Sequence, residues 1–216
     1  MVYSVWGFDN MKVREIRTRE CSAWGGSSSM EYIQQLLNIM DCAKVRKDLE
    51  LVRELNLPQS CIAAGYVRNR VWDALHGYDH ETPLNDIDVI YYDPSDMSEE
   101  KDKLLTQRLN TVDMKDCWSV KNQARMHLRN QVDPYESTSD AMSCWPEIAT
   151  AVGLYLDELD QIQCISPYGL DDLFQLKIRQ SPRYMDTAYF KTRVTEKQWL
   201  TRWPNLTMVK MMIHNK

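Results

Sequence analysis

The sequence predicts an α/β or α+β domain in which helices pack against a sheet, and three observations predict it. Stretches with apolar residues at helical spacing alternate with short apolar runs of strand length. Hydrophobic residues make up 44% of the chain and charged residues 26%, values that supply a core and exclude wholesale disorder. The 216 residues, at roughly 100–200 per domain, favour one domain with at most a small appendage.

The first 29 residues carry two Trp, four scattered basic residues and the run Gly25-Gly26-Ser27-Ser28-Ser29, with neither period, and read as a flexible extension ahead of a domain spanning 30–210. From Met30 to Asn56 apolar residues recur at helical spacing, giving one or two amphipathic helices ended by Leu57-Pro58. Cys61 to Ala64 is a short buried strand. Val67, Val71, Trp72 and Leu75 mark a helix that Gly77 terminates. A strand over Ile87 to Tyr92 is stopped by Pro94. Asp96 and Glu99, at capping-box spacing, precede a helix with Leu104, Leu105 and Leu109. Another strand covers Cys117 to Val120, and a helix covers Asp140 to Thr150. Thr150 to Leu156 and Gln161 to Ile165 form a hairpin. Pro167 and Gly169 precede a helix over Leu170 to Leu176, and Thr195 with Gln198 makes a second capping box before Trp199 and Leu200.

Composition excludes several classes. Seven Gly and eight Pro are too few for a fibrous chain, and no apolar run reaches the ~18–20 residues of a membrane span. The formal charge of −5 argues against a general polyanion binder. None of the six cysteines forms a CxxC pair, and Cys61 and Cys164 sit in apolar stretches that suit buried thiols. Without a secretory signal pattern the expected location is the cytoplasm. Charge is uneven: residues 79–116 hold eleven acids and four bases, whereas 173–216 hold nine bases and two acids. Solvated faces explain this, as does a metal-binding acidic edge opposite a basic wall.

The informative stretch is Gly65-Tyr66-Val67-Arg68-Asn69 followed by Asp86-Ile87-Asp88-Val89. Period two in a strand puts Asp86 and Asp88 on one face with Ile87 turned into the core. Two carboxylates so placed suit Mg²⁺, which takes one or two protein carboxylates plus substrate phosphates. Gly65 stands where the strand turns into a helix, so that N–H groups of Val67 and its neighbours, with Arg68, can meet phosphate oxygens. Each piece alone is common; the order strand, Gly, helix, loop and DxD strand is the signal.

These residues resemble the Gly-rich turn and DxD strand of the DNA polymerase β-like nucleotidyltransferase superfamily, in the form found in tRNA CCA-adding enzymes. The wider text, including Trp118-Ser119-Val120-Lys121-Asn122-Gln123-Ala124-Arg125 and Pro167-Tyr168-Gly169-Leu170-Asp171-Asp172, is similar to a family of small bacterial nucleotidyltransferase-like proteins from about Leu51 to Pro204. The resemblance implies a nucleotidyltransferase fold: a mixed sheet flanked by helices, with an added β-hairpin and C-terminal helices. It also implies Mg²⁺-dependent transfer of a nucleoside monophosphate from a triphosphate, with Asp86 and Asp88 as catalytic metal ligands. Gly65, Tyr66, Arg68, Asn69, Lys121 and Arg125 are the candidate nucleotide-binding residues. Tyr66 departs from the superfamily's Gly or Ser, and the strand after the DxD, Cys117 to Asn122, lacks its third carboxylate. Asp116, just ahead of it, either supplies that acid or is a loop residue; otherwise the acceptor is activated differently or the site binds nucleotide with little turnover.

Arg125 and Arg129 share a helix face and either receive polyanion or are solvated. His127 reads as a structural residue, and Gly77 between His76 and His80 argues against a zinc site. Asp171 and Asp172 suit a helix N-terminus. Tyr66 or Trp118 could stack on a base, burial being the safer expectation for Trp118. Two functions follow: a nucleotidyltransferase acting on an undefined hydroxyl of RNA, protein or a small molecule, and a nucleotide-binding regulatory module without catalysis. A partner protein using the basic C-terminal third is a third reading; none involves a membrane.

Overall fold

The computed structural model describes residues 27–113 and 117–209. Residues 1–26 of the expected extension, and Asp116, lie outside the described residues. Helix α1, Ser27–Met40, starts three residues ahead of Met30, and α2, Ala43–Arg53, completes the expected helix pair. Strand β1 (Cys61–Ala63) leads into α3 (Gly65–Leu75), then β2 (Ile87–Tyr91), α4 (Glu99–Val112) and β3 (Trp118–Asn122). Short helices α5 (Met126–Asn130) and α6 (Thr138–Ser143) precede the hairpin of β4 (Gly153–Leu156) and β5 (Ile162–Ile165). The chain ends with α7 (Asp171–Phe174), β6 (Lys177–Arg179), α8 (Thr187–Glu196), α9 (Trp199–Arg202) and β7 (Thr207–Val209).

The first five strands make one mixed sheet in the order β3-β2-β1-β4-β5. Strand β1 is antiparallel to β2 and β4, and β2 is parallel to β3 through the α4 crossover, as parallel neighbours require. Ile62, Val89, Val120 and Leu154 point to one face and join the main core with α1, α2 and α3. Cys61, Ala63 and Ile90 point to the other, beneath Met142 of α6. Cys61 is fully buried, whereas Cys164 is only partly so.

Several expected elements change. The helix expected over 140–150 stops at Ser143, because Pro146 cannot continue it and Glu147 bridges to Gln180 in extended conformation. The strand expected from Thr150 accordingly starts at Gly153. The second capping box is absent: Thr195 lies inside α8, whose N-terminus is capped by Asp186 accepting from the Tyr189 amide at 2.8 Å. In the first, the Asp96 carboxylate instead accepts from the amide and hydroxyl of Ser98, the residue that precedes α4. Helix α7 is only four residues long, and the chain then turns at Leu176 (φ 55°) into β6, which pairs in parallel with β7.

That pairing returns the C-terminal segment to α3. Trp199 and Trp203 pack edge-on against Trp72 with ring centroids 5.6 and 5.1 Å apart. The Trp203 indole donates to Asp73 Oδ1 at 2.7 Å, and the same carboxylate accepts from the amide and hydroxyl of Thr82 at 2.7 Å each. Asp73 thus fastens both the loop preceding β2 and the C-terminal helices to α3. The space between them is the cleft described next.

Candidate active site

Asp86 precedes β2 by one residue and Asp88 lies within it, opposite Ala63 on one side and Ser119 on the other. Ile87 and Val89, of opposite parity, are buried in the main core. Both carboxylates line one cleft of about 130 Å³, together with Gly65, Arg68, Asn69, Arg193, Lys197 and Arg202. Among the described residues neither carboxylate accepts a hydrogen bond. Burial, with the neighbouring charge of Asp86, pushes Asp88 up to about 6, against the pull of Arg68, Arg193 and Lys197. A larger cavity of about 490 Å³ between α2 and the hairpin contains Arg53 but no carboxylate, so it offers no comparable chemistry.

The turn into α3 differs from the expectation in a specific way. Ala64, not Gly65, carries the left-handed backbone (φ 57°, ψ −123°), a costly state for a residue with a Cβ. A Cβ at Gly65 would meet Arg68 Nη2 and Leu84 Cδ2 at 3.5 Å, so glycine leaves open the floor between the arginine and the loop. The Val67 amide is already bonded to Ala64 O at 3.2 Å. The Gly65 amide, with no backbone partner among the described residues, is the unspent donor of this helix start that borders the cleft.

Arg68 is nearly inaccessible and firmly held. Its Nη1 donates to Thr150 Oγ1 and its Nη2 to Asn69 Oδ1, each at 2.8 Å. The guanidinium lies 4.4 Å from the Trp199 ring centroid and 5.1 Å from that of Trp72, while Nε has no partner. Burial lowers its pKa to about 10, with Arg193 acting the same way against Glu147 and Asp88, so it stays cationic at neutral pH.

The opposite wall comes from α8 and α9: Arg193, Glu196, Lys197 and Arg202. Arg193 donates through Nε to Glu147 Oε1 at 2.7 Å. Glu147 is 0% exposed and its Oε2 has no partner. The sequence showed this wall only as the excess of bases over residues 173–216. Glu147 gave no signal at all, because its role depends on an arginine 46 positions away.

The other sequence candidates separate. Tyr66 is a correction: it is 0% exposed and its hydroxyl donates to buried Asp48 at 2.6 Å, so it cannot stack on a base. Trp118 is buried, as expected. Arg125 is also outside the cleft, bonded to Asp102 Oδ2 at 2.6 Å and to the carbonyls of Met97 and Ser98. Lys121 is exposed on the Asp88 face, paired with Ile90 rather than with Asp88 and not lining the cleft. His127 bonds Ala124 O, His76 bonds Trp72 O and the Asn205 amide, and Asp172 pairs with Arg179 at 2.8 Å. Those contacts are structural. No three acids, histidines or cysteines cluster as a metal site among the described residues, and Ser119 occupies the β3 position beside Asp88.

A family model described as nucleotidyltransferase matches residues 50–208. The chain belongs to this nucleotidyltransferase family. An NMR structure described as a CCA-adding enzyme head domain is similar to this chain at 35% identity, covering 82% of this chain and 96% of that one with a TM-score of 0.72. A Thermotoga maritima CCA-adding enzyme complexed with tRNA (14% identity, TM-score 0.51, 83% of this chain and 42% of that one) shares the fold. So does a CCA-adding enzyme in complex with CTP (13%, 0.51, 82% and 43%). The chain thus spans less than half the length of those two enzymes. No curated protein matches the sequence. Among the described residues no helix is long and apolar enough to cross a membrane.

Proposed function

We propose that this family member transfers a nucleoside monophosphate from a nucleoside triphosphate to a hydroxyl acceptor in the cytoplasm, with Mg²⁺ held by Asp86 and Asp88. The observation that carries the reading is a pair of carboxylates in one cleft that accept no hydrogen bond, with the charge of Asp86 adding to the cost of ionising Asp88. Oxygen donors with like charge fit a hard divalent cation, which relieves their repulsion. When bound, Mg²⁺ would supply electrostatic stabilisation of the phosphoryl group and of the departing pyrophosphate. The Gly65 amide borders the cleft at the helix start, where the dipole favours anions, and is placed to meet a phosphate oxygen. Arg68, fixed by Thr150 and Asn69, keeps a positive charge beside Asp88 without having to be reorganised during reaction.

The test is transfer of label from α-labelled triphosphate to pooled RNA, protein or small hydroxylated acceptors, in the native protein and in Asp86→Asn. The folded variant loses transfer; a folded variant that retains it removes the assignment. A second reading, a nucleotide-binding module without turnover, is favoured by Ser119 standing beside Asp88 where a third acid would lie. Calorimetric binding of Mg²⁺ and each triphosphate without any label transfer would select it.

A further inference from the structure

Most arginines at other sites on this protein are spoken for. Arg53, Arg70, Arg125 and Arg179 reach Asp160, Glu81, Asp102 and Asp172 at 2.5, 2.9, 2.6 and 2.8 Å. Within the cleft, Arg68 and Arg193 are also engaged, by Thr150 and Asn69 and by Glu147. Lys197 and Arg202 differ: they line the same cleft, are exposed, and their side chains make no hydrogen bond or short ion pair among the described residues. Glu196 lines the cleft too and pairs with neither.

These two cations are open but their backbone is not loose. Lys197 caps the end of α8 and Arg202 ends α9, whose Trp199 is 2% exposed against Trp72 and Arg68. Trp203, next to Arg202, is fixed by its bond to Asp73, and the Arg202 carbonyl accepts from the Tyr78 hydroxyl at 2.5 Å. Two unspent charges on an anchored segment, lining the same cleft as Asp86 and Asp88, suit a multiply anionic ligand that touches both walls at once. An inorganic or nucleoside polyphosphate has that chemistry: its oxygens can reach a cation held by the carboxylates and charged donors opposite. A cleft of about 130 Å³ suits a short chain of phosphates better than a nucleic-acid backbone.

We infer that Lys197 and Arg202 form the polyphosphate grip of the nucleotide site, with Arg193 and its counter-ion Glu147 holding the base of that wall. The inference rests on the proposed site, but it can be separated from catalysis because inorganic tripolyphosphate carries no nucleoside monophosphate to transfer. The probe is inorganic tripolyphosphate, titrated calorimetrically into the full chain with Mg²⁺ at low salt. Lys197→Gln and Arg202→Gln each weaken binding on the order of tenfold, the double variant by more, and Lys197→Arg restores most of it. Melting temperatures stay unchanged, since both side chains are exposed.

Equal dissociation constants for native protein and double variant, or no tripolyphosphate binding by native protein, overturn the grip. Loss of affinity for a single-stranded oligonucleotide with tripolyphosphate binding intact also overturns it, reassigning these residues to an RNA backbone. If tripolyphosphate binding depends on Lys197 and Arg202 but no transfer is found in any acceptor pool, the grip stands and the catalytic reading falls.

Discussion

Two acid and arginine clusters adjoin strand β2, one on each face, and they are built on opposite principles. On the main-core side, Asp102 of α4 is closed: its oxygens accept from the Tyr91 hydroxyl at 2.8 Å, the Asn122 amide at 3.1–3.2 Å and Arg125 Nη2 at 2.6 Å. On the Ala63 side, Asp88 sits among Arg68, Arg193 and Lys197, yet it accepts no hydrogen bond. A buried carboxylate without donors is expensive to ionise, so the open cluster weakens the fold where the closed one supports it. The contrast teaches that arginine near aspartate is not itself a functional sign. What marks a site is charge left unspent.

The comparison breaks most visibly under reciprocal substitutions. Asp102→Asn strands the partly buried Arg125 and is expected to lower stability by about 3–5 kcal/mol in denaturant titration, with activity per folded molecule retained. Asp88→Asn is expected to leave stability equal or higher while cutting label transfer by roughly two to three orders of magnitude, the scale of losing one preorganised electrostatic element. If the two variants exchanged these effects, the distinction between closed and open clusters would be wrong.

Next in size is the pH response of metal-free protein. With Asp88 at about 6 when folded and an ordinary value of 3.8, the native state binds this proton more tightly than the unfolded chain. Its contribution to stability is therefore full below pH 3.8, is lost as pH rises through about 6, and is flat above. The span is about 3 kcal/mol. Denaturant titrations in EDTA across that range should show the decline in native protein and not in Asp88→Asn. Added Mg²⁺ should move the midpoint down, because it favours the charged form.

The smallest effect sharpens the fate of Tyr66. Tyr66→Phe removes the 2.6 Å bond to Asp48 and is expected to cost about 1–3 kcal/mol of stability while KM for the triphosphate stays unchanged. A raised KM with unaltered stability would return Tyr66 to the nucleotide site.

Much of the architecture was legible because it is written in periods. Alternation in Ile87-Asp88-Val89 placed the acids on one side of β2, and the 3.6-residue spacing gave α1 to α4. The reading failed where one residue outranked its neighbours: Pro146 cut a helix short, and Thr195, expected to cap a helix before Trp199, lies inside α8, which Asp186 caps. Lys121 looked like a ligand because it ends the strand expected beside the DxD strand, and Arg125 because it lies in a basic segment without acids. A parallel register puts Lys121 beside Ile90, and the α4 carboxylate claims Arg125.

By itself, then, the order of residues determined the strand, turn and DxD unit that carries Asp86 and Asp88, since those relations span a few positions and follow from backbone periodicity. Only the folded chain decided which cations face them. Arg193, Lys197 and Arg202 reach the cleft because Trp199 and Trp203 bury against Trp72, more than 120 positions earlier, and long-range burial of that kind leaves no local period to read.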